Sequence, residues 1–469
     1  MAASGRWGIV SHAGYLPYRR LDRSGIVGVA GTGGGKGTRT VASYDEDTTT
    51  MAVEAARLAL RPVPGARPAA VYLATTAPAY LDKTNATALH AALRLGSDVV
   101  AADFGGAVRS SVVALRSALR GSEPTLVVSS DLRTGLPGST DEATGGDGAA
   151  AVLVGSESDG PVLAELVGLG SATEEFLDRW RQPGEMRSKI WEERFGEGKY
   201  VALGEQAWAA ALKDAGVGPD AVDHLIVTGP QSRAVGVLSK RLAGSVGNVE
   251  DDLGATVGQT GAAHPALLLS ALLERVEADR LVALVSLADG ADVLILRTTA
   301  AVADFEPAGP VAVQLAAGGP LPYGKYLSWR GFLPVEPPRR PEPYRVSASA
   351  ASRSVEWKFG FVGSRGVNTG QIRLPPAVQL DEPLEPIPMA DALGTVATFT
   401  VDRLSYSPSP PVVFAVVDFD GGGRLPLELT DIDASDVHIG DRVEMTFRKL
   451  FTADGINNYF WKARPVRSQ

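Results

Sequence analysis

The fold of this chain is decided by the stretch Ala101-Ala-Asp-Phe-Gly-Gly-Ala-Val-Arg-Ser-Ser-Val-Val-Ala-Leu115. The apolar residues 99–102 predict the end of a strand, and the two glycines after Phe104 predict a tight turn. From Val108 onward the apolar spacing predicts a buried helix. A cysteine at the start of that helix would lie at the positive end of the helix dipole, with a lowered thiol pKa and an activated sulfur.

The composition bounds the possible functions before any motif is considered. A chain of 469 residues predicts two or three domains with sizeable cores. Its net charge of −9 argues against non-specific nucleic-acid binding. The sequence has neither an apolar run long enough to cross a membrane nor an N-terminal signal-peptide core. It also contains no cysteine, which removes disulfides, thiolate zinc sites and thiol nucleophiles. We therefore expect a soluble cytoplasmic protein.

Several phrases carry a resemblance to one family. The opening Gly8-Ile-Val-Ser-His-Ala-Gly-Tyr-Leu-Pro17 and the helix that follows Asp45-Glu-Asp-Thr48 match phrases of the 3-hydroxy-3-methylglutaryl-CoA synthase branch of the thiolase superfamily. In that branch the central motif reads Ala-Cys-Arg/Lys-Ser/Ala-Gly-Thr, so Val108 stands at the nucleophile position. The chain resembles this branch over nearly its whole length, but valine cannot form an acyl-enzyme.

The other catalytic positions of the family are also replaced. The resemblance places Thr76 where the family has a glutamate acid/base, Thr228 where it has a histidine, and Gln259 where it has an oxyanion-binding asparagine. We expect Thr76, Val108 and Thr228 to line the substrate pocket. Ordinary thiolase or synthase chemistry, which needs a nucleophile and a base, is therefore not expected.

The resemblance also implies the architecture. We expect an α/β fold in which a duplicated thiolase-like unit forms five layers, α-β-α-β-α, with halves at 1–155 and 156–300. A linker is expected over 301–343, followed by a degenerate zinc ribbon and a small β OB-fold barrel over 344–469. Short alternating strands support the barrel.

The C-terminal module resembles the OB-fold partner proteins of thiolase-like enzymes. Their ribbon reads Gly-Ser-x-Cys-x-x-Cys-Gly, which places Gly366 and Thr369 at two cysteine positions. Zinc needs about four N, S or O ligands, so we expect a ribbon without metal. The module is not strongly basic and lacks a stripe of stacking aromatics, so nucleic-acid binding is not expected.

Three other features have simpler interpretations. The glycine-rich run Gly31–Thr38 fails the spacing of a phosphate-binding Walker loop, because Gly37 follows Lys36. Asp45, Glu46 and Asp47 are interpreted as helix-capping residues. The mixed charges between Glu174 and Tyr200 predict only a solvated helix.

Three functions remain open, and the first two have their own evidence. The first is an acyl-CoA aldolase or lyase that cleaves or forms a β-hydroxyacyl-CoA, with His264 and Tyr80 as candidate proton carriers and Gln259 as an enolate-oxygen donor. For each proton carrier a structural role, backbone bonding for His264 and packing for Tyr80, is the alternative.

The second function is a non-catalytic partner of an active thiolase-like homologue, and a synthase-type acyltransferase is a third alternative. In each case we expect coenzyme A thioesters as substrates rather than a bound cofactor. We also expect a homodimer, which the resemblance implies.

Overall fold

A computed structural model of the chain describes residues 5–378 and 381–466. The strands of its first half are β1 (Trp7–Tyr15), β2 (Arg19–Asp22), β3 (Thr38–Val41), β4 (Ala70–Thr75), β5 (Val100–Gly105), β6 (Thr125–Asp131) and β7 (Gly148–Ser156). The helices of this half are α1 (Ser24–Ala30), α2 (Thr48–Leu60), α3 (Ala86–Ala92), α4 (Arg109–Leu119) and α5 (Thr140–Thr144).

The second half follows the same plan. Its strands are β8 (Ala164–Ala172), β9 (Arg179–Trp180), β10 (Lys189–Ile190), β11 (His224–Thr228), β12 (Asn248–Val249), β13 (Leu281–Leu287) and β14 (Ala291–Thr298). Its helices are α6 (Glu193–Ala215), α7 (Ser232–Leu242) and α8 (His264–Leu273). The mixed-charge stretch predicted as a helix is instead the β9–β10 hairpin followed by α6, because Trp180 and Trp191 pack together at 5.9 Å across the hairpin.

The sheet order shows that the two halves are copies of one unit. One end of the ten-stranded sheet runs β1-β7-β6-β4-β5 and the other runs β8-β14-β13-β11-β12. These orders are equivalent when β1 is matched to β8, β4 to β11, β5 to β12, β6 to β13 and β7 to β14. Strands β1 and β8 join the halves through the pairs Gly8 with Glu165 and Ile9 with Ala164. The predicted duplication is confirmed.

Helices cover both half-sheets and separate them. Helix α2 packs on β1, β6 and β7, and α6 packs on β8, β13 and β14. Between the half-sheets, α4 and α8 contact each other, and Val112 and Leu268 share one core with strands of both halves. This is the expected five-layer arrangement, with α4 and α8 in the layer between the two half-sheets.

The segment predicted as a linker is only partly a linker. Helices α9 (Val311–Ala316) and α10 (Tyr323–Trp329) and strand β15 (Gly319–Pro320) pack on the first half. Gln314 bridges to β1, accepting from the Leu16 amide and donating to the Gly14 carbonyl, both at 2.8 Å. Residues 334–343 contain no helix or strand. Residues 311–329 thus pack with the first half, and the stretch without helix or strand lies between them and the C-terminal module.

The C-terminal module contains a ribbon and a barrel. Its elements are α11 (Ala348–Arg353), α12 (Val355–Lys358), β16 (Val362–Gly366), β17 (Ile372–Arg373), β18 (Leu384–Pro388), β19 (Gly394–Asp402), β20 (Val412–Phe419), β21 (Arg424–Leu429), β22 (Arg442–Ala453) and β23 (Ile456–Pro465). Strands β16, β17 and β18 form the ribbon, whose turn is closed by Glu382: its carboxylate accepts from the Asn368 and Thr369 amides at 2.9 and 3.0 Å. The last five strands close a barrel in the order β19-β20-β21-β23-β22, as predicted for an OB fold.

Buried ion pairs fix the barrel to the first half. Asp45 lies 3.0 Å from Lys462 and 3.5 Å from Arg448, and Glu46 lies 2.8 Å from Arg448. Only Asp47 caps α2, where it forms a capping box with Thr50. The interpretation of Asp45 and Glu46 as helix caps is therefore wrong, because barrel cations hold their carboxylates.

Two negative findings apply to residues 5–378 and 381–466. No helix there is long and apolar enough to cross a membrane. Nor does that part of the chain bring together three or more His, Cys, Asp or Glu side chains that could share a metal ion.

Candidate functional site

Val108 lies between β5 and α4, at the turn that the sequence predicts. Gly106 turns the chain there with a φ of +95°, a left-handed conformation that favours glycine. Val108 immediately precedes α4, and its side chain is 7% exposed. The helix dipole is therefore directed at this position, and the side chain that occupies it is apolar.

Val108 lines a cavity of about 460 Å³, which we call the main cavity. The walls come from residues that follow the ends of β4, β5, β6, β11 and β13, where ligands bind in α/β sheets. The β9–β10 hairpin and α6 complete them. Its lining residues include Thr76, Ala77, Gly106, Ala107, Val108, Arg133, Arg179, Trp180, Arg181, Glu185, Ser188, Tyr200, Pro230 and Asp289. Thr76 and Val108, two of the three predicted pocket residues, are thus brought together.

Thr76 is bound to a buried carboxylate that the sequence reasoning missed. Its hydroxyl lies 2.8 Å from both oxygens of Asp131, and its amide donates to the same carboxylate at 3.0 Å. From the second half of the chain, the amide of Ala262 donates to the Asp131 carboxylate at 2.9 Å. Asp131 thereby ties β4 to the start of α8, and Thr76 is the member of this network that reaches the main cavity.

Three arginines line the main cavity. Arg179 forms a two-pronged ion pair with Asp141, at 2.8 and 2.7 Å. Arg181 donates to the carbonyl oxygen of Thr76. Arg133 lies 3.7 Å from Asp131 and 3.4 Å from the Thr76 hydroxyl. Burial lowers the pKa of the Arg133 guanidinium, and the Asp131 carboxylate opposes that shift.

A second, smaller cavity shares a wall with the first. It has a volume of about 20 Å³, and we call it the polar subsite. Arg133, Arg179, Arg181, Ser188 and Pro230 line both cavities, whereas Gln259 lines only the polar subsite.

One end of the Gln259 side-chain amide has a hydrogen-bond partner, and the other end has none among the described residues. Its Oε1 accepts from the Gly261 amide at 2.6 Å, while its Nε2 is buried without a hydrogen-bond partner among the described residues. The predicted donor Gln259 therefore lies beside the main cavity rather than in its wall.

The structure places His264 outside both cavities. His264 begins α8 and is almost fully buried. Its Nδ1 lies 3.1 Å from the Thr260 hydroxyl and its Nε2 lies 3.0 Å from the Asp252 carbonyl oxygen. Burial lowers its pKa to about 4 despite the opposing Asp252 carboxylate. The expectation that His264 faces the pocket is wrong; it holds the loop before α8, as its structural alternative proposed.

Tyr80 and Thr228 are also not in the cavity wall. The Tyr80 hydroxyl accepts a hydrogen bond from the backbone amide of Asn457 at 2.8 Å, so it contacts the barrel. Thr228 ends β11 with its hydroxyl buried and without a partner among the described residues, and Pro230, two positions later, lines the cavity instead. The role of Tyr80 as a proton carrier therefore lacks the geometry that it needs.

The residues that the sequence reasoning missed share one property. Arg133, Arg179, Arg181 and Asp131 are charged residues close to strand ends or in a hairpin. The signal that could have found two of them is Arg179-Trp180-Arg181, in which two cations flank an aromatic residue.

Comparisons with known proteins agree with this architecture. Residues 388–448 match the family described as "ChsH2, C-terminal OB-fold domain". The chain is 27% identical over 310 residues to the hydroxymethylglutaryl-CoA synthase of Methanopyrus kandleri, covering 62% of this chain and 87% of that one. The identity to the Archaeoglobus fulgidus synthase is also 27%, over 341 residues, covering 69% of this chain and 98% of the relative.

Solved structures extend the likeness to the fold. MvaS in complex with 3-hydroxy-3-methylglutaryl coenzyme A superposes with a TM-score of 0.60 at 20% identity, over 73% of this chain and 95% of that one. The 3-oxoacyl-(acyl carrier protein) synthase III of Pseudomonas aeruginosa gives 0.53 at 20% identity, over 63% and 98%. The chain therefore has a thiolase-like fold followed by an OB-fold domain. The position before α4 carries a valine, and the whole sequence lacks cysteine.

Proposed function

We propose that this thiolase-like protein binds an acyl-CoA thioester in the main cavity without forming an acyl-enzyme. The observation that carries the proposal is Val108, which lines the cavity at the start of α4 in a chain without cysteine. Capture of an acyl group as a cysteine thioester needs a thiol. Support for a CoA ester as the ligand comes from the relatives, which are hydroxymethylglutaryl-CoA synthases, and from the MvaS structure with its CoA ester.

The cavity offers donors for a thioester oxygen. Backbone amides at the positive end of α4 and the guanidinium groups of Arg133 and Arg181 lie in or beside the same wall. Donors fixed in advance around a position where negative charge develops stabilise an enolate more than its neutral precursor. This arrangement favours chemistry that forms an enolate at the thioester without a covalent link to the protein.

We propose carbon–carbon bond cleavage, or its reverse, as that chemistry. A base takes the proton of a β-hydroxyl, the Cα–Cβ bond breaks, and its electron pair passes to the thioester as an enolate. Protonation at Cα then releases a shorter acyl-CoA beside a ketone or aldehyde. Asp289, in the turn between β13 and β14, lines the cavity and replaces His264 and Tyr80 as the candidate base.

A non-catalytic partner role is the second candidate. It is favoured by the replacement of the family's cysteine, glutamate and histidine by Val108, Thr76 and Thr228. The ribbon of this chain also contains no cysteine. In this case the protein binds the CoA ester and does not turn it over.

One experiment separates these functions. Purified protein is incubated with β-hydroxyacyl-CoA esters and with acetyl-CoA, and products are followed by mass spectrometry while binding is measured by calorimetry. A ketone or aldehyde with a shorter acyl-CoA, lost in Asp289→Asn and kept in Tyr80→Phe, supports the lyase. Binding without product supports the partner role. Acetyl transfer supports the acyltransferase alternative and overturns the first proposal, as does the absence of any binding.

A cysteine introduced at position 108 tests whether this is the nucleophile position. Val108→Cys puts a thiol at the positive end of α4, where its pKa is expected to fall and its reactivity to rise. We expect acetyl-CoA to acetylate this variant, detected by intact mass, and not the control Val113→Cys on a later turn of α4. Equal labelling of both variants would show that Val108 is not the nucleophile position.

We also propose that the chain forms a homodimer through β5. This strand is one end of the ten-stranded sheet, and Val100 on it is 58% exposed. An open strand edge is a template for pairing with a second chain. Light scattering is expected to give a dimer that Val100→Lys weakens and that Val29→Lys, at another exposed site, leaves intact; a monomeric native protein contradicts the proposal.

A further inference from the structure

One carboxylate closes the ribbon of the C-terminal module. Glu382, just before β18, accepts from the backbone amides of Asn368 and Thr369 at 2.9 and 3.0 Å. The Thr369 hydroxyl donates to the same carboxylate at 2.6 Å. Three donors from the turn between β16 and β17 therefore converge on one side chain from a separate segment of the ribbon.

Gly366, at the end of β16, leaves room for that carboxylate. A Cβ atom added to residue 366 would overlap the Oε1 atom of Glu382. Gly366 belongs to a strand and does not have a positive φ, so its backbone is open to other residues. Glu382 thus fills the space that any side chain at residue 366, a cysteine included, would need.

The residues of the ribbon do not fit a zinc ion. Gly366 and Thr369 stand at two cysteine positions of the related ribbons, and residues 361–388 contain neither cysteine nor histidine. The acids of this stretch are Asp381, Glu382 and Glu385. Glu385 pairs with Arg365 at 2.6 Å. Structural zinc takes four ligands, mostly thiolate and imidazole groups, which this stretch does not supply.

The surroundings of Glu382 favour its ionised form. The hydrogen bond from the Thr369 hydroxyl lowers the pKa of Glu382, and although desolvation opposes this shift, the two amides and the charge of Arg373 add to it. Hydrogen bonds to an ionised carboxylate are shorter and stronger than those between neutral groups. The turn is therefore held by a charged acceptor.

We propose that the Glu382 carboxylate takes the structural place of the metal ion in this ribbon, and that Gly366 and Glu382 form an interdependent pair. A structural zinc ion contributes folding free energy by tying together ligands from separate segments. Glu382 ties two segments together through three hydrogen bonds. The C-terminal module therefore keeps its fold without a bound metal and without thiols that oxidise. This inference is independent of the proposed acyl-CoA binding.

Hydrogen exchange on the full chain tests the role of the carboxylate. Mass spectrometry of ribbon peptides follows the amides of Asn368 and Thr369. We expect Glu382→Gln to speed their exchange about 3- to 10-fold, the range for lost hydrogen bonds at an exposed site. The control Glu385→Gln breaks the exposed pair with Arg365 and is expected to leave these amides unchanged. Unchanged exchange in Glu382→Gln overturns the proposal, and circular dichroism checks the fold of both variants.

A double-mutant cycle tests the interdependence. Gly366→Ala adds the Cβ that overlaps Glu382, so we expect exchange of the same amides to rise by a similar factor. In the Glu382→Ala background the same substitution is expected to add little, because the carboxylate that it displaces is gone. Effects that add independently in the double variant would show that the two positions are not coupled, which contradicts the proposed pair.

Metal content supplies a separate test. Elemental analysis of the purified protein is expected to find zinc well below one ion per chain, and EDTA is expected to leave the melting temperature unchanged. One zinc ion per chain, or a melting temperature that EDTA lowers, overturns the proposal.

Discussion

Buried charge occurs in two regions of this molecule, and the two regions treat it differently. Where the barrel meets the first half, Asp45, Glu46, Arg448 and Lys462 form ion pairs of 3.5 Å or less, and their side chains are 0–1% exposed. In the main cavity, Arg133 is 16% exposed and 3.7 Å from its carboxylate. Paired charges hold domains together, whereas an incompletely paired charge remains available to a ligand.

The difference is also visible in the acid–base behaviour of the interface. Burial alone would raise the pKa of Asp45, but Lys462 and Arg448 lower it to about 2. Burial would also raise the pKa of Glu54, but Arg57 and Arg464 lower it to about 2. Asp45 and Glu54 therefore stay ionised at the interface, and each has a barrel cation beside it. Burial instead raises the pKa of Glu46, although Arg448 opposes that shift.

The largest expected effect follows from breaking the paired region. Arg448→Met leaves Glu46, Asp45 and Asp431 without their shared cation in a buried site. We expect the free energy of unfolding to fall by about 3–5 kcal/mol in denaturant titrations. The matched control is Arg442→Met on the same strand, whose pair with Asp420 is exposed, with an expected loss below about 1 kcal/mol. Equal losses in the two variants would contradict the comparison.

The second-largest expected effect is that of low pH, which distinguishes the barrel interface from the main cavity. A carboxylate with a depressed native pKa stabilises the fold above its unfolded pKa, and this contribution disappears as pH falls through the native value. For Asp45 and Glu54 the window lies between about pH 4 and pH 2, and each group contributes roughly 2–3 kcal/mol above it.

The measurement is limited proteolysis and thermal unfolding from pH 6 to pH 2. We expect the contribution of Asp45 and Glu54 to stay constant down to about pH 5 and barrel docking to be lost below about pH 4. Burial raises the pKa of Glu274 to about 7, so this group has the opposite sign: a loss of stability as pH rises from about 5 to about 7 would point to Glu274.

A smaller effect is expected in the cavity wall. Thr76→Val removes the hydroxyl that lies 2.8 Å from both Asp131 oxygens. A buried carboxylate that loses such a partner costs about 1–3 kcal/mol, which chemical denaturation can measure. The control is Thr87→Val, at the exposed start of α3, where the hydroxyl donates to the Thr84 carbonyl; the change is expected to stay below about 0.5 kcal/mol. Identical changes would show that Asp131 does not depend on Thr76.

The sequence predicted the structural features that depend on residues close together along the chain and those that the resemblance to the family implies. The turn at Gly106, the helix after Val108 and the two equivalent halves follow from glycine positions, apolar spacing and quoted motifs. The barrel follows from short alternating strands. These features depend on neighbours along the chain, so a pattern of nearby residues is enough to specify them.

The charge networks could not be predicted in the same way. Asp45 and Arg448 are 403 residues apart, and Arg133 and Arg181 reach one cavity from separate segments. Only tertiary packing decides which charges meet, so local sequence patterns predict a helix cap at Asp45 and solvated side chains at Arg179 and Arg181. His264 was correctly placed at the start of a helix, but its direction is set by the Asp252 carbonyl, which local spacing does not reveal.

The smallest expected effect is that of Tyr80→Phe, which tests whether Tyr80 belongs to the barrel interface or to the main cavity. Its hydroxyl accepts a hydrogen bond from the Asn457 amide on the barrel, and its side chain is absent from the cavity wall that the described residues form. Tyr80→Phe is therefore expected to lower stability by about 0.5–1.5 kcal/mol and to leave CoA-ester affinity and turnover unchanged. Denaturant titration and calorimetry on the same preparation measure both. A loss of turnover at unchanged stability would return Tyr80 to the catalytic site and mean that the loop after β4 moves into the cavity when a ligand binds.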